Sequence, residues 1–146
     1  MSTPVDDLLA IADSVVAGAR PGEQVEAYVG RNQSTEIRIY QGEVENFTSA
    51  QTQGIGVRVI RDGRTGFAYA GTLDDPAEVL ERARESSTFG TPDEWAGMAT
   101  PDGVAVQPLM LWDEALPAFP TAAKIELAKE LELLTAAGSH RTSALP

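Results

Sequence analysis

The spacing of apolar positions changes several times along this chain, and each change predicts an element. Val5, Leu8, Leu9, Ala12, Val15 and Val16 recur at helical spacing, so residues 3–17 read as an amphipathic helix. Thr3 can cap it, Pro4 suits the first helical position, and Gly18 with Pro21-Gly22 ends it. The period then drops to two. Val25, Ala27 and Val29 alternate with Glu26, Tyr28 and Gly30; Ile37 and Ile39 alternate with Glu36, Arg38 and Tyr40. Arg31-Asn32-Gln33-Ser34 reads as a turn between these two strands, and Gln41-Gly42-Glu43 as a second break. Residues 44–50 read as extended with a weak pattern. Ile55, Val57 and Val59 alternate with Gly54, Gly56 and Arg58, and Asp62-Gly63 follows at once as a strong hairpin signal. The return strand covers residues 65–70. Strands joined by tight turns predict antiparallel pairing, with Glu36, Arg38 and Arg58 marking a wet face.

A helix follows from Asp75-Pro76-Ala77-Glu78, which supplies a cap, a proline at the first position and a glutamate three residues after the cap. Pro76, Val79, Leu80 and Ala83 share its apolar face. Residues 88–120 hold five prolines, at 92, 101, 108, 117 and 120, and show no period. They read as a Pro/Gly-rich connecting meander pinned by Trp95, Met98, Leu109, Leu111 and Trp112. A last helix starts at Thr121, with Ile125, Ala128, Leu131 and Leu134 as its stripe and Gly138 as its stop. The predicted fold is α+β: a mostly antiparallel sheet of about four or five strands, flanked by an N-terminal helix and two later helices. The expected divisions are 1–87 (helix, sheet and helix), 88–120 (the meander) and 121–146 (a helix and the truncated start of a further domain).

Composition narrows the functions. Apolar residues make up 42% of the 146 and aromatics 6%, so aliphatic side chains must fill the core. Twenty-two acidic residues stand against 11 basic ones, a net charge of -11. That balance argues against nucleic acid and anionic membranes as partners. The chain has no cysteine, which removes disulfides and thiolate chemistry. No apolar run approaches the roughly 20 residues that span a bilayer. The start, Met1-Ser2-Thr3-Pro4-Val5-Asp6-Asp7, lacks the features of a signal peptide. The expected location is the cytoplasm, where the Asn-x-Ser/Thr triplets at Asn32 and Asn46 carry no glycan.

Histidine arithmetic decides most of the remaining chemistry. A helical zinc-peptidase motif needs two histidines one turn apart, and His140 is the single histidine here. A Ser-His-Asp triad would also depend on His140, and no Gly-x-Ser-x-Gly elbow is present. His140 reads as a tail residue. Glu43 and Glu45 lie two apart on an extended segment and could share a face for acid–base work on a sugar; they read more simply as solvated turn-flanking residues. Gly54-Ile55-Gly56 resembles part of a nucleotide fingerprint, but a strand follows it where a phosphate site needs a helix N-terminus. Glycines there would instead admit close approach of another backbone. No residue is therefore assigned a catalytic, cofactor-binding or metal-ligating role.

One stretch carries a wider resemblance. Residues 25–73, VEAYVGRNQSTEIRIYQGEVENFTSAQTQGIGVRVIRDGRTGFAYAGTL, resemble the N-terminal domain of the TldD/PmbA family, also called modulators of DNA gyrase. The shared order is a strand, a strand leading into Gly-Glu-Val-Glu, then Gly-Ile-Gly-Val-Arg-Val, a short turn and Gly-Phe-Ala-Tyr. A helix beginning Asp-Pro-Ala-Glu-Val-Leu follows, and TAAKIELAKELE is similar to the helix before the family's central domain. Residues 67–75 and 89–95 look closer to the PmbA (TldE) branch than to the TldD branch. The resemblance implies a metallopeptidase system of paired subunits, one bearing a His-Glu-x-x-x-His zinc motif and the other lacking it, linked to peptide maturation and antitoxin degradation. That motif would lie beyond residue 146, so zinc is expected only in a full-length or partner catalytic subunit. The segment from Ser139 departs from the family pattern, which predicts a fragment or a truncated product.

The expected function is that of a non-catalytic N-terminal part of such a system, inactive alone. It would help form the substrate chamber and contact a TldD/PmbA-type subunit in a homo- or hetero-oligomer that takes peptide substrates. Two other readings stand beside it: a free-standing module that binds a peptide along a sheet edge, and a small carboxylate enzyme using Glu43 and Glu45.

Overall fold

The computed structural model describes residues 4–100, 102–105, 109, 111, 113 and 115–139. Their elements are α1 (Pro4–Ala17), β1 (Glu23–Tyr40), β2 (Glu43–Arg61), β3 (Arg64–Ala70), α2 (Pro76–Thr88), α3 (Ala115–Ala118) and α4 (Thr121–Ser139). The strands form one sheet in the order β1-β2-β3. The chain divides into two compact units, residues 1–32 with 51–103 and residues 33–50 with 104–146. The α+β architecture is the one the sequence predicts, with three strands among the described residues where about four or five were expected.

The difference lies at Arg31-Asn32-Gln33-Ser34. These residues continue β1 and do not turn, and all four are exposed. A polar run reads as a turn only if a strand must bury one face. Where neither face is covered, polar side chains are compatible with an extended backbone. Residues 43–53 of β2 are likewise exposed throughout, which is why their pattern is weak.

Both turns between strands are two residues long and need positive φ at both positions. Gln41 and Gly42 have φ of 52° and 79°, and Asp62 and Gly63 have 51° and 70°. This is the turn whose twist matches that of the flanking strands. In the first unit, β2 and β3 pair antiparallel from Ile55↔Ala70 to Arg61↔Arg64. Ile55, Val57 and Val59 thus share a face with Ala70, Ala68 and Gly66, and α1 and α2 cover that inner face. The core cluster comprises Val15, Ile55, Val57, Val59, Ala68, Val79, Leu80 and Ala83, with Val25, Ala27 and Val29 of β1 packed against it. Val57 and Val59 are wholly buried, each stabilising the fold by roughly 1.5–3 kcal/mol relative to exposure.

α2 begins as its sequence predicts. Asp75 is the cap, its Oδ1 accepting the Glu78 N–H at 3.0 Å, and Pro76 opens the helix. The helix packs on β3. That contact depends on Gly66, because a Cβ there would lie 2.7 Å from Ser87 Cα and closer still to Ala83 O and Ser87 N. α1 buries a narrower stripe than expected: Val15 is in the core and Ile11 packs against it, while Val5, Leu9 and Val16 are exposed. The cap expected at Thr3 lies outside the described residues.

Among the described residues, hydrogen bonds tie the meander to the sheet. Asp93 N–H donates to Gly63 O at 2.8 Å, and Met98 N–H donates to Gln24 Oε1 at 2.9 Å. Trp95, Leu109 and Leu111 are exposed, which corrects the pinned reading for them; Trp112 lies outside the described residues.

In the second unit, Thr35, Ile37 and Ile39 are half-buried and alternate with exposed Glu36, Arg38 and Tyr40. The Glu132 carboxylate of α4 accepts the N–H groups of Gln41 and Gly42 at 2.9 and 2.8 Å. This contact places Glu132 on the inward side of the helix with Ile125 and Ala128, all half-buried. Leu131 and Leu134, expected on that stripe, are each 64% exposed. The helix also runs through Gly138 to Ser139.

Candidate functional site

The first unit presents a sheet with two unlike faces. On the outer face, opposite the core, β3 contributes Thr65, Phe67 and Tyr69, register-paired with Ile60, Arg58 and Gly56 of β2. Arg58 pairs with Glu26 of β1 at 2.9 Å, so alternation puts Gln24, Glu26 and Tyr28 on this face too. Tyr28, Phe67 and Tyr69 are exposed. The Phe67 and Tyr69 rings lie 6.4 Å apart at 31°. The Phe67 ring leans across the strand boundary over Gly56, where a Cβ would meet Phe67 Cζ at 3.3 Å; Tyr28 leans along its own strand over Gly30, where a Cβ would meet its Cε1 at 3.4 Å. Three rings at positions that alternation assigns to a wet face form an unusual patch for a sheet, since contiguous exposed apolar area marks interaction surfaces.

At the edge of the inner face sits a nearly dry ion network. Arg84 of α2 donates from Nε to both Glu23 oxygens at 3.0 Å, from Nη2 to Glu23 Oε2 at 2.9 Å and Gly18 O at 2.6 Å, and from Nη1 to Glu81 Oε1 at 2.6 Å. Arg20 donates to the same Glu81, and its N–H bonds Glu23. Side-chain exposure is 9% for Arg84 and 2% for Glu23. The Arg84 hydrogen bonds hold the Glu23 carboxyl below its ordinary range against the opposing effect of burial, and the same bonds raise Arg84 further. Both shifts keep the pair ionised. The charges are answered within the network, so it ties the end of α1, the start of β1 and α2 together and offers no reactive group.

The residues considered from the sequence fall elsewhere. Glu43 and Glu45 are two apart on β2, both exposed, and Glu45 Oε2 is 2.7 Å from Arg38 Nε. An acid–base pair works in a dry cleft that separates its two pKa values; these carboxylates lie in solvent. Gly54-Ile55-Gly56 lies within the central strand, with Ile55 in the core. A Cβ on Gly54 would meet Ala70 O at 2.8 Å, the close approach of backbone expected for it. His140 lies outside the described residues. Zinc fits the donor set poorly: the sequence holds one histidine and no cysteine, and no three His, Asp or Glu converge among the described residues. Among the described residues, no helix is long and apolar enough to cross a membrane.

Residues 25–87 match the family model of the PmbA/TldA metallopeptidase domain 1. Over this segment the chain is similar to that family's first domain. The chain is also 34% identical over 58 residues to an uncharacterized protein of Methanocaldococcus jannaschii, covering 40% of this chain and 14% of that relative. Among solved structures, a Thermotoga maritima protein described as a modulator of a DNA gyrase aligns with a TM-score of 0.59 at 18% identity, over 86% of this chain and 27% of its own. TldE from Thermococcus kodakarensis aligns with a TM-score of 0.52 at 20% identity, over 73% of this chain and 24% of its own. The likeness to these two is one of fold. The chain therefore spans about a quarter or less of each of these relatives. Within the PmbA/TldA segment lie all three strands' first-unit portions from Val25 onward, the ring-bearing face, and α2 through Ser87.

Sequence reasoning missed the ring-bearing face and the Arg84 network. Each had a signal. Tyr28, Phe67 and Tyr69 occupy the positions that alternate with the core residues, and Arg84 falls one residue from Ala83 on the buried side of α2.

Proposed function

We propose that this chain acts as a non-catalytic N-terminal domain in a TldD/PmbA-like metallopeptidase system. In that role it helps wall the chamber that receives peptide substrate and contacts a TldD/PmbA-type subunit. Zinc and the hydrolytic step belong to a full-length or partner catalytic subunit. The observation that carries this reading is the outer sheet face of the family-matched segment. Its inner side is filled by α1 and α2, while Tyr28, Phe67 and Tyr69 are left for contact.

Mixing the purified chain with a zinc-bearing subunit of the family tests it. A stable complex on size exclusion is expected, weakened by Phe67→Ser, with peptide cleavage only when that subunit is present. Stoichiometric zinc binding and chelator-sensitive cleavage by this chain alone would overturn the reading.

A second reading is favoured by the strand order. β1 stands at the end of the sheet with no strand on its other side among the described residues. An extended peptide could add there through main-chain hydrogen bonds. In that case association survives Phe67→Ser but is lost when proline replaces an edge residue of β1.

A further inference from the structure

We propose that the ring-bearing face binds a lysine- or arginine-rich extended segment of a partner protein. The inference rests on the reading of that face as a contact surface, and it names the chemistry of what sits there. Tyr28 is 78% exposed, Tyr69 72% and Phe67 56%. Shielding of the glycine backbone accounts for only part of their placement. Phe67 reaches Gly56 with Cζ and Cε2, and Tyr28 reaches Gly30 with Cε1, Cζ and the hydroxyl; most of each tyrosine stays in water. These two rings lie against the glycines and stay largely exposed. The face of an aromatic ring carries negative potential and attracts ammonium and guanidinium groups.

The charges nearby agree with a cationic occupant. The face's own arginine, Arg58, is already paired with Glu26 at 2.9 Å, so it repels an incoming cation only weakly. The chain as a whole carries -11, which draws basic segments toward it and repels acidic ones. An extended segment suits the geometry: its alternate side chains repeat at about 6.6–6.8 Å, twice the rise per residue of a strand. The Phe67–Tyr69 centroid spacing is 6.4 Å. Successive cations on one side of such a segment can each meet a ring.

The test titrates the 146-residue chain with three peptides of equal length in which serine alternates with lysine, glutamate or leucine. Binding is followed by calorimetry and by amide shifts. The lysine peptide is expected to bind, shifting the amides of residues 28, 67 and 69, and Tyr28→Leu with Tyr69→Leu should weaken it roughly tenfold. Leucine keeps apolar area while removing the π face, and unchanged circular dichroism verifies folding. Asp74→Asn, which alters only general charge, should change little. Tighter binding of the leucine peptide, equal binding of the glutamate peptide, or equal weakening by Asp74→Asn would overturn the inference. So would self-association through this face without peptide binding. If the peptides fail while Phe67→Ser still breaks the subunit complex, the inference falls and the contact-face reading stands. If no subunit complex forms, that reading falls whatever the peptides do.

Discussion

Gly66 of β3 lies directly beneath Ser87 of α2, so close that a β-carbon on the glycine would stand 2.7 Å from Ser87 Cα. The obstructing atoms are backbone, which cannot rotate aside. Gly66→Ala must lift the helix off the strand and disturb Ala83, Val79 and Leu80 in the core. A loss of about 3 kcal/mol is expected, at the upper end for overpacked interiors. Urea unfolding measures it; an unchanged midpoint would mean the helix rides higher than described.

Gly63 is constrained twice. Its φ of 70° disfavours a side chain, and a Cβ would meet Asp93 O at 2.9 Å. Gly63→Val should cost about 1–3 kcal/mol and should release residues 93–98. Faster amide exchange at Asp93, whose N–H bonds Gly63 O, checks the second part.

Removing Arg84 should cost about 3–5 kcal/mol, because it strands the Glu23 carboxylate in a nearly dry site; removing the Glu23 charge should cost less, because Arg84 keeps Glu81 at 2.6 Å. Arg84→Met and Glu23→Gln are the informative variants. The pair also sets an acid limit. Glu23 titrates below its ordinary 4.5 when folded, so its stabilising contribution is complete above that value and is lost as pH falls through the lower folded value. Melting temperature should therefore fall on acidification below about 4.5, and less steeply in Glu23→Gln.

Glu132 makes two hydrogen bonds to the turn at Gln41 and Gly42. Glu132→Ala should speed amide exchange at those two residues and along α4, while protection in β3 and α2 stays as in the parent chain. Equal loss of protection in β3 would show that the two units do not open separately.

Much of the fold was legible because its signals are local. The Asp75-Pro76 start of α2, the Asp62-Gly63 turn and the alternation of Ile55, Val57 and Val59 each follow from a few adjacent residues. What escaped depends on residues distant in sequence. Arg31-Asn32-Gln33-Ser34 reads as a turn until β1 is seen to run through it with both faces exposed. Leu131 reads as core until Glu132 is seen to reach back 91 residues to Gln41. The ring-bearing face was hidden by averaging, because Glu26 and Arg58 share it and give it the polar pattern of a wet surface.

The Glu132 clamp also bears on the order in which the molecule can be made. The β2–β3 hairpin needs only neighbouring residues and can form as soon as it leaves the ribosome. The Gln41-Gly42 tip waits for a residue about 90 positions later. At roughly 5–20 residues per second, that is a delay of about 5–18 seconds. During that interval the half-apolar side bearing Ile37 and Ile39 lacks the helix that fastens its tip. A chaperone or a neighbouring nascent chain would find its opening there, and substitutions at Glu132 should lower the yield of correctly folded protein in cells.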